Sequence, residues 1–436
     1  MPPPSIHIVG AGMAGLAAAA ALAAAGLGPQ VTIHEASNHA GGRCRSFHDA
    51  ALGCVIDNGN HLILGANPAV FAYLDRLGRR DALASPPGTR FPFVDLASGE
   101  RWVLRPNAGR LPWWFAVPSR RVPGSRTLDY LRALRLLSAG PADTVADRLD
   151  PGSVLYRRLW EPLTVAVLNA DPAEGSARLM GRVVREVFGG GGAASRPYIA
   201  AAGLSAALVD PALAWLAGKG VGIRFGARVR ALQQGPGGVR GLELAGDSVP
   251  VGPQDRVVLA VPPAVAGRLL PGLPVPEGSR AIVNLHYRLP GPLRTDPAAA
   301  AEIIGLVGSA AHWLFLRESL ASVTISAADR LLDEPDELLG RRVWSEVAAA
   351  LGRLGVAGVP AAQPPFRLVK EKRATFLQSP ANEALRPATG RAGGNLLLAG
   401  DWTATGLPAT IEGAIRSGNA AAAAIAAVAS GRMAGS

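Results

Sequence analysis

Two short apolar runs lie near the start of the chain, on either side of an alanine-rich stretch. The first run covers Ile6 to Val9 and the second covers Val31 to Ile33. Short apolar runs are typical of buried strands, and the alanine-rich residues between these two favour a helix. The pattern therefore predicts a βαβ unit at this end of the chain.

Glycines mark the turn between the first strand and the helix. Gly10, Gly12 and Gly15 have the spacing G-x-G-x-x-G, and Glu35 follows the second strand. In dinucleotide sites these glycines make the tight turn, admit a pyrophosphate and let the helix pack on the strand, while the acid binds ribose hydroxyls. The helix N-terminus adds partial positive charge. The predicted dinucleotide contacts are Gly10, Ala11, Gly12, Met13, Ala14, Gly15, Glu35 and Ala36.

The alternative for residues 1–26 is a secretory signal peptide. A basic segment at its start is lacking, and three glycines interrupt the apolar stretch. No run reaches the roughly 18 strongly apolar residues that a membrane span needs. The two cysteines, Cys44 and Cys54, are too few for a disulfide framework. We therefore expect a cytoplasmic protein with no membrane-spanning segment.

Helices with proline breaks are predicted from about residue 76 to residue 200, including one over 127–138. Residues 189–192, four glycines, predict a flexible loop. A strand is expected from Ile223 to Leu232, and further strands over 257–261, 281–287 and 321–326.

The last strand of the chain is expected from Asn395 to Ala399 and ends in Gly400 and Asp401. A helix from Ala409 to Ala429 follows, and the hydroxyl of Thr410 is positioned to cap it.

Beyond Glu35, the run Gly41-Gly42-Arg43 resembles the amine oxidase and polyene desaturase superfamily of FAD enzymes. In that superfamily the glycine pair and the arginine extend the pyrophosphate site, so the resemblance implies FAD rather than NAD. It also implies an α/β fold: a Rossmann-like FAD-binding domain of the amine oxidase type with a mixed-sheet substrate domain and a helical cap.

The same resemblance implies further cofactor contacts. Asp401 would hold the ribityl or pyrophosphate region, and Val229 matches a strand valine whose backbone touches the adenine. The helix N-terminus near Thr410 would face the flavin pyrimidine ring. No cysteine lies in this C-terminal segment, so we expect non-covalent FAD. The added contacts are Gly42, Arg43, Asn58, Gly59, Asn60, Val229, Gly400, Asp401, Thr410 and Ile411.

A chain of 436 residues exceeds the size at which one core keeps growing, so two domains are expected. The FAD-binding domain is predicted to be discontinuous, and the substrate-binding and helical domain fills the intervals. The first comprises residues 1–75, 203–275 and 386–436; the second comprises residues 76–202 and 276–385.

Four local segments narrow the resemblance to the hydroxysqualene dehydroxylase family of squalene-associated FAD enzymes in hopanoid synthesis. These segments are Asp57 to Gly65, Leu159 to Leu163, Glu371 to Phe376 and Ala399 to Gly413. The family usually has glutamine where this chain has Asn60. The resemblance implies that a long allylic alcohol loses its hydroxyl and receives hydride from reduced flavin. An allylic cation needs a dry, apolar tunnel, and with 5% aromatic residues we expect aliphatic side chains to line much of it.

The proton donor for the departing hydroxyl is expected at His61 or Asp57, because their segment runs beside the flavin in the superfamily. Histidine also titrates in the useful pH range. The alternative is that His61 only hydrogen-bonds the cofactor or backbone. Glu161, Lys372 and Arg373 are further candidates, each of which could equally belong to a structural salt bridge.

A net charge of +11 calls for an acidic partner, either a diphosphate or an anionic membrane. Nucleic acid is not expected, because the arginines are spread along the chain without a recognisable reading module. Trp113 and Trp114 lie among arginines, a pattern typical of peripheral contact with a membrane, here its cytoplasmic face. The alternative is that both tryptophans belong to the core. No metal is expected, because the seven histidines lack ligand spacing.

Three other functions share parts of this pattern. A polyisoprenoid desaturase would use the same fold but take hydride from its substrate. An amine oxidase is less favoured, because the chain has three lysines and no recognisable aromatic pair for the flavin. A non-enzymatic prenyl-lipid escort would not need an intact dinucleotide motif.

The reductive reaction also requires an external reductant for the flavin.

Overall fold

A computed structural model of the chain describes residues 3–295, 301–429 and 431. Three parts of the predicted domains lie outside the described residues: 1–2, 296–300, and 430 with 432–436.

The described strands, in chain order, are β1 Ile6–Val9, β2 Val31–His34, β3 Ser46–Asp49, β4 Cys54–Asp57, β5 Ile63–Leu64, β6 Phe91–Asp95, β7 Arg101–Leu104, β8 Pro197–Tyr198, β9 Gly222–Arg224, β10 Ala231–Gly235, β11 Gly238–Leu244, β12 Asp247–Pro250, β13 Arg256–Leu259, β14 Arg280–Arg288, β15 Ala301–Val307, β16 Trp313–Arg317, β17 Leu320–Ile325, β18 Phe366–Thr375, β19 Gly390–Gly393 and β20 Leu396–Leu398.

The described α-helices are α1 Met13–Ala24, α2 Pro68–Arg76, α3 Thr127–Arg132, α4 Val145–Arg148, α5 Glu161–Leu168, α6 Ala177–Val183, α7 Gly191–Ser195, α8 Asp210–Gly218, α9 Pro263–Leu269, α10 Asp336–Arg353, α11 Pro380–Ala384 and α12 Ile411–Ala429.

The first sheet has six strands in the order β19-β20-β13-β1-β2-β9. All its pairings are parallel except that of the edge strand β19. Helix α1 is buried along almost its whole length, between this sheet and α12. Small side chains permit that closeness, since a Cβ on Gly418 would overlap the carbonyl oxygen of Ala14.

The second sheet has seven strands in the order β18-β14-β17-β16-β15-β6-β7. It is mixed, because β6 runs parallel to β15 while the other pairs are antiparallel. Helix α10 packs on it through a stripe of buried residues at helical spacing, including Leu339, Val343 and Val347. The α/β fold with a mixed second sheet is the one predicted.

The prediction of helices from about residue 76 to residue 200 is wrong in part, because β6 and β7 form an edge of the second sheet. Their short apolar runs end at Asp95 and Leu104, and a hairpin joins them. The strands of the first sheet come from residues 1–75, 203–275 and 386–436, and those of the second from the other two ranges. The division into two domains stays a prediction.

Two further local predictions are wrong. Residues 191–195 form the short helix α7 rather than a flexible loop, because Gly191 and Gly192 pack directly on the backbone of residues 107–110. The strand predicted from Ile223 to Leu232 is broken, because the chain turns at Gly226 with φ +66° between β9 and β10. Val229 therefore lies in a connection, not on a strand.

Cys44 and Cys54 are free thiols. Within the described residues, no helix combines the length and apolar character needed to cross a membrane.

Candidate active site

A cavity of about 1570 Å³ lies between the two sheets, and residues of both line it. Ordinary small-molecule sites occupy roughly 300–1,000 Å³, so this space exceeds what one such ligand fills. Most of the predicted cofactor contacts line it: Gly10, Gly12, Met13, Ala14, Glu35, Ala36, Gly42, Arg43, Asn58, Gly59, Asn60, Val229, Gly400, Asp401, Thr410 and Ile411.

The other two predicted contacts, Ala11 and Gly15, do not line the cavity; they lie behind the lining residues and hold them in place. The N–H of Ala11 donates to Glu35 Oε2 at 2.7 Å. A Cβ on Gly15 would overlap the carbonyl oxygen of Gly10, so this glycine allows α1 to pack against β1.

The glycine turn forms a shallow cradle at the start of α1. Gly10 has φ +106°, and a Cβ there would overlap the carbonyl oxygen of Ala260. A Cβ on Gly12 would meet nothing within 4 Å, and one on Gly42 would lie 3.4 Å from the Cα of Gly12. Side chains at these two positions would fill the space in front of the α1 N-terminus. The geometry fits the diphosphate of FAD, which needs open approach to backbone N–H groups and a helix N-terminus.

Glu35 is held rigidly at the end of β2. Its Oε1 accepts hydrogen bonds from the N–H and the hydroxyl of Ser37, at 2.8 and 2.9 Å. Its other oxygen accepts from Ala11, so the carboxylate is fixed against the glycine turn. This placement suits an acceptor for ribose hydroxyls.

Arg43 and Asp401 connect the first and last predicted flavin segments. Arg43 Nη2 lies 2.7 Å from Asp401 Oδ2, and Arg43 Nη1 donates to the carbonyl of Ala374 at 2.5 Å. The Asp401 carboxylate raises the pKa of Arg43 above its usual value. The guanidinium is thus a fixed cation on the cavity wall.

The N-terminus of α12 faces the same cavity. Thr410 caps this helix as predicted, since its Oγ1 accepts from the N–H of Gly413 at 3.1 Å. Glu412 in the first turn accepts from the N–H groups of Ala69 and Val70 at 3.1 and 3.0 Å, and so ties α12 to α2.

Val229 is buried and lines the cavity although it is not on a strand. Among the described residues, neither its backbone N–H nor its C=O has a hydrogen-bond partner. Unpaired buried backbone groups are rare. The free N–H donor and C=O acceptor of Val229 fit the polar edge of the adenine base.

Cys44, next to Arg43, also lines the cavity. Burial raises the pKa of its thiol to about 12. The side chain therefore remains a neutral thiol at neutral pH.

His61 lines the large cavity, whereas Asp57 does not. Burial lowers the pKa of His61 to about 4, so its imidazole is neutral at pH 7. Asp57 forms a buried ion pair with Arg317, Oδ2 to Nη1 at 2.6 Å. Its Oδ1 accepts from the Ser46 hydroxyl at 2.6 Å and the Leu204 N–H at 2.8 Å. The structure therefore separates the two predicted proton donors: only His61 faces the large cavity.

A small side cavity of about 10 Å³ joins these groups, with Asp57, Asn60, His61 and Arg317 on its wall. Arg317 Nε and Asn60 Oδ1 are buried without a hydrogen-bond partner among the described residues. A space of this size is about that of one water molecule. These unpaired atoms fit a water bound beside His61.

Asn284 and Thr324 line the cavity and are residues that the sequence analysis missed. They lie opposite each other on β14 and β17, and Thr324 Oγ1 donates to Asn284 Oδ1 at 2.9 Å. Asn60 Nδ2 donates to Thr324 Oγ1 at 3.1 Å. The signal was present in the sequence, because polar residues interrupt two otherwise apolar strands at alternate positions.

Aliphatic side chains line most of the far part of the cavity, as expected; Leu62, Ile63, Leu104, Leu159, Leu163, Val167 and Ile303 are among them. The aromatic wall residues from the second sheet and its helices are Phe91, Phe93, Trp114, Phe188, Trp313 and Phe315.

The further proton-donor candidates do not gather at one point. Arg373 lines the cavity beside Glu371, which accepts from Asn58 Nδ2 at 3.1 Å. Glu161 and Lys372 are absent from the wall, and Lys372 is exposed on β18.

The two adjacent tryptophans have different environments. Trp114 is buried and packs edge-on against Tyr130, whereas Trp113 is half-exposed beneath the Arg120 guanidinium. The prediction that both meet a membrane is therefore wrong for Trp114.

Over residues 3–295, 301–429 and 431, no group of three or more His, Cys, Asp or Glu could hold a metal ion.

The family model for flavin containing amine oxidoreductases matches residues 13–426. The chain is 46% identical to the hydroxysqualene dehydroxylase of Sinorhizobium fredii, covering 96% of this chain and 98% of the relative. It is 47% identical to the hydroxysqualene dehydroxylase of Rhodopseudomonas palustris, over 96% and 97% of the two chains. The chain belongs to the family of flavin containing amine oxidoreductases. Its fold matches a solved putrescine oxidase variant at TM-score 0.71 and 18% identity, covering 97% of this chain and 99% of the other.

Membership of the flavin containing amine oxidoreductases confirms the resemblance seen in the sequence. The protein is an oxidoreductase, and its cofactor is FAD. The predicted fold class is confirmed as well. The individual site residues stay predictions.

Proposed function

We propose that this protein reduces hydroxysqualene to squalene with FAD as cofactor. One observation carries the proposal: a single cavity runs from the glycine cradle at α1 to an apolar wall of aliphatic and aromatic side chains at the second sheet. Its size suits a dinucleotide together with a long apolar substrate. The names of the two dehydroxylase relatives, which match almost end to end, support this choice of substrate.

FAD is proposed to lie along the first sheet. The N-terminus of α1 and Arg43 would hold the diphosphate, Glu35 the adenosine ribose, and the free backbone groups of Val229 the adenine. The N-terminus of α12 would stabilise negative charge on the flavin ring. When bound and reduced, FAD supplies the hydride.

The reaction balances as one C–O bond broken and one C–H bond formed. The hydroxyl takes up a proton and leaves as water, and the resulting allylic cation accepts the hydride. Phe91, Phe93 and Phe315 line the cavity, and an aromatic ring whose face meets a cation would stabilise it. The apolar lining as a whole would exclude bulk water, which would otherwise capture the cation.

His61 is proposed to pass a proton to the departing hydroxyl. Because its imidazole is neutral at pH 7, one ring nitrogen would give up its proton while the other takes one up from the water that the side cavity fits. His61 is the one of the two predicted donors that lines the large cavity, and it also borders the small side cavity. A water there would connect the imidazole to the polar atoms around it. Asp57 and Arg317 act as positioning residues, because their buried ion pair fixes the segment that carries His61.

The polar group of Asn60, Asn284 and Thr324 is proposed to position the hydroxyl. These three side chains hydrogen-bond to one another, and all three line the cavity. Asn60 Oδ1 has no partner among the described residues, and a carbonyl oxygen with two lone pairs can accept from both a side-cavity water and a substrate hydroxyl. A hydroxyl would satisfy it, whereas a plain hydrocarbon would leave it unpaired.

Two partners complete the proposal. An external reductant must reload the flavin after each turnover. The protein is also proposed to contact an anionic membrane peripherally at its cytoplasmic face, because its substrate is a lipid and its net charge is +11. The chain is also proposed to form two domains, an FAD-binding domain of residues 1–75, 203–275 and 386–436 and a substrate-binding and helical domain of residues 76–202 and 276–385.

A product assay in both directions separates this function from the alternative desaturase. Purified FAD-loaded protein is given hydroxysqualene with a reductant, and in parallel squalene with an oxidant. The proposal predicts squalene in the first reaction and no polyene in the second. Polyene formation without squalene formation would assign a desaturase.

A further inference from the structure

The described chain exposes ten large apolar side chains, and six of them lie within residues 111–137. The other four are scattered singly, as is normal on a protein surface. The six are Leu111, Trp113, Leu128, Leu131, Leu134 and Leu137.

Four of the leucines form one stripe, here called the leucine face: Leu128, Leu131, Leu134 and Leu137. They are spaced three residues apart along α3 and the 3₁₀ turn over 133–138. In a 3₁₀ helix residues three apart eclipse, and in an α-helix they are neighbours on one side. Their exposed fractions, 57%, 44%, 53% and 37%, show that nothing in the described chain covers them.

The same segment has two other rows at the same spacing. Tyr130, Ala133 and Leu136 are buried in the core beneath. The third row starts at Asp129 and continues with the exposed Arg132 and Arg135. The segment thus shows an apolar face to the protein, a second apolar face to the outside, and arginines between them.

The chain segment that carries the leucine face is strongly basic. Residues 101–140 contain eight arginines and a single acid, Asp129. Arg132 contacts Asp129 at 3.4 Å, whereas Arg110, Arg126 and Arg135 are exposed and make no salt bridge among the described residues. Free cations beside exposed leucines and a tryptophan match an anionic lipid interface.

The leucine face lies next to the substrate end of the cavity. Tyr130, on α3, stacks on Phe115 and packs edge-on against Trp114. Trp114 lines the cavity, and its neighbour Trp113 is half-exposed. One layer of aromatic residues therefore separates the leucine face from the apolar cavity.

We propose that the leucine face, with Leu111, Trp113 and the surrounding arginines, is the surface that docks on an anionic phospholipid bilayer. The leucines enter the acyl boundary and the arginines contact the phosphates. An isoprenoid dissolved in that bilayer would then reach the cavity past Trp113 and Trp114. The route taken by the substrate rests on the proposed reaction, whereas the docking surface rests on the exposed leucines and arginines alone.

Vesicle co-sedimentation of the full FAD-loaded chain tests the surface without any substrate. Phosphatidylglycerol–phosphatidylcholine vesicles are compared with pure phosphatidylcholine. Wild type should bind the anionic vesicles, and added salt should weaken the binding. Leu128→Ser/Leu131→Ser/Leu134→Ser should weaken it at least about tenfold. Arg110→Gln/Arg126→Gln/Arg135→Gln should weaken it by about fivefold for each arginine.

The matched control is Leu338→Ser/Leu385→Ser, which removes two exposed leucines from elsewhere on the surface. It should bind as wild type does. FAD content and the urea unfolding midpoint establish that each variant is folded. The arginine variant leaves the leucines in place and therefore provides a second test of the docking surface.

Three results would overturn the docking proposal. Wild type could fail to bind anionic vesicles, or the leucine variant could bind as well as the control. Light scattering could also show a wild-type dimer that the leucine substitutions dissociate, which would assign this face to a second copy of the chain. Turnover in detergent is measured separately, so loss of vesicle binding with retained turnover leaves the proposed function standing.

Discussion

Arg43 Nη2 lies 2.7 Å from Asp401 Oδ2, although the two residues are 358 positions apart in the chain. The contact joins the turn after β2 to the end of β20, at the wall of the large cavity. Asp401 is almost fully buried, so this pair is screened less than one on the surface. The Asp401 carboxylate therefore holds the Arg43 guanidinium in position at the cavity wall.

Asp401→Asn should therefore weaken FAD binding. The substitution leaves the Arg43 guanidinium without its anion and held only by its hydrogen bond to the Ala374 carbonyl. We expect the dissociation constant for FAD to rise at least about tenfold, which corresponds to about 1.4 kcal/mol. The matched control is Asp247→Asn, which breaks an exposed pair with Arg224 at 2.9 Å. Equal FAD affinity of the two variants in a fluorescence titration would contradict this role.

Gly12→Ala and Gly15→Ala should separate cofactor binding from folding. A Cβ on Gly15 would overlap the Gly10 carbonyl, so α1 must move away from β1 at a cost of about 1–3 kcal/mol or more. A Cβ on Gly12 meets no protein atom within 4 Å, and we expect the unfolding free energy of the apoprotein to stay within about 1 kcal/mol. Gly12→Ala should nevertheless lose FAD affinity. Urea unfolding and FAD titration of both variants measure this, and unchanged FAD affinity in Gly12→Ala would place the diphosphate elsewhere.

His61→Gln should slow turnover by about 100-fold or more, because it removes a proton donor at the cavity wall. FAD content and the flavin absorption spectrum should stay as in wild type. Retention of the wild-type kcat would exclude His61 as the proton donor.

Asp57→Asn should act on stability first. It leaves the Arg317 guanidinium, 6% exposed, as an uncompensated buried charge, which costs about 3–5 kcal/mol. The double variant Asp57→Asn/Arg317→Met should recover part of that loss in chemical denaturation. An Asp57→Asn protein of wild-type stability that has no activity would instead assign the proton transfer to Asp57.

Acid should destabilise the fold between about pH 6.5 and pH 4. Burial lowers the pKa of His286 and His312 to about 4, against 6.5 for an unperturbed histidine. In this window the unfolded chain takes up protons that the folded chain does not, so stability is complete above pH 6.5 and falls as pH falls toward 4. Each such histidine contributes a loss of about 3 kcal/mol below pH 4.

His286→Gln should flatten this pH dependence, since the amide does not titrate and can still hydrogen-bond to Ser322, the partner of His286 at 2.8 Å. Urea unfolding free energies measured across the window test it. Identical slopes for wild type and variant would show that His286 does not contribute.

The first sheet and the flavin segments follow from local sequence patterns. The G-x-G-x-x-G turn, Glu35, the last strand and the Thr410 cap each involve a few neighbouring residues, and local chemistry determines their conformation. The strand boundaries of β1 and β2 agree with the apolar runs to within one residue. Such elements can be predicted because the glycines and the cap act over short distances.

The second sheet and its polar group could not be obtained in the same way. Asn60, Asn284 and Thr324 meet only because β14 pairs with β17 and a distant loop packs on both. Asp57 carries no local sign that Arg317, 260 positions away, takes up its charge. Trp113 and Trp114 are neighbours in sequence, yet only tertiary packing decides which of them is buried.

An anaerobic titration tests the central claim most directly. The FAD-loaded protein is chemically reduced, hydroxysqualene is added in detergent, and flavin absorbance is followed while the product is identified by mass. We predict one squalene formed for each flavin reoxidised. Flavin that stays reduced with hydroxysqualene, together with oxidised flavin that bleaches when a saturated isoprenoid is added, would contradict the account and reverse the direction of hydride transfer.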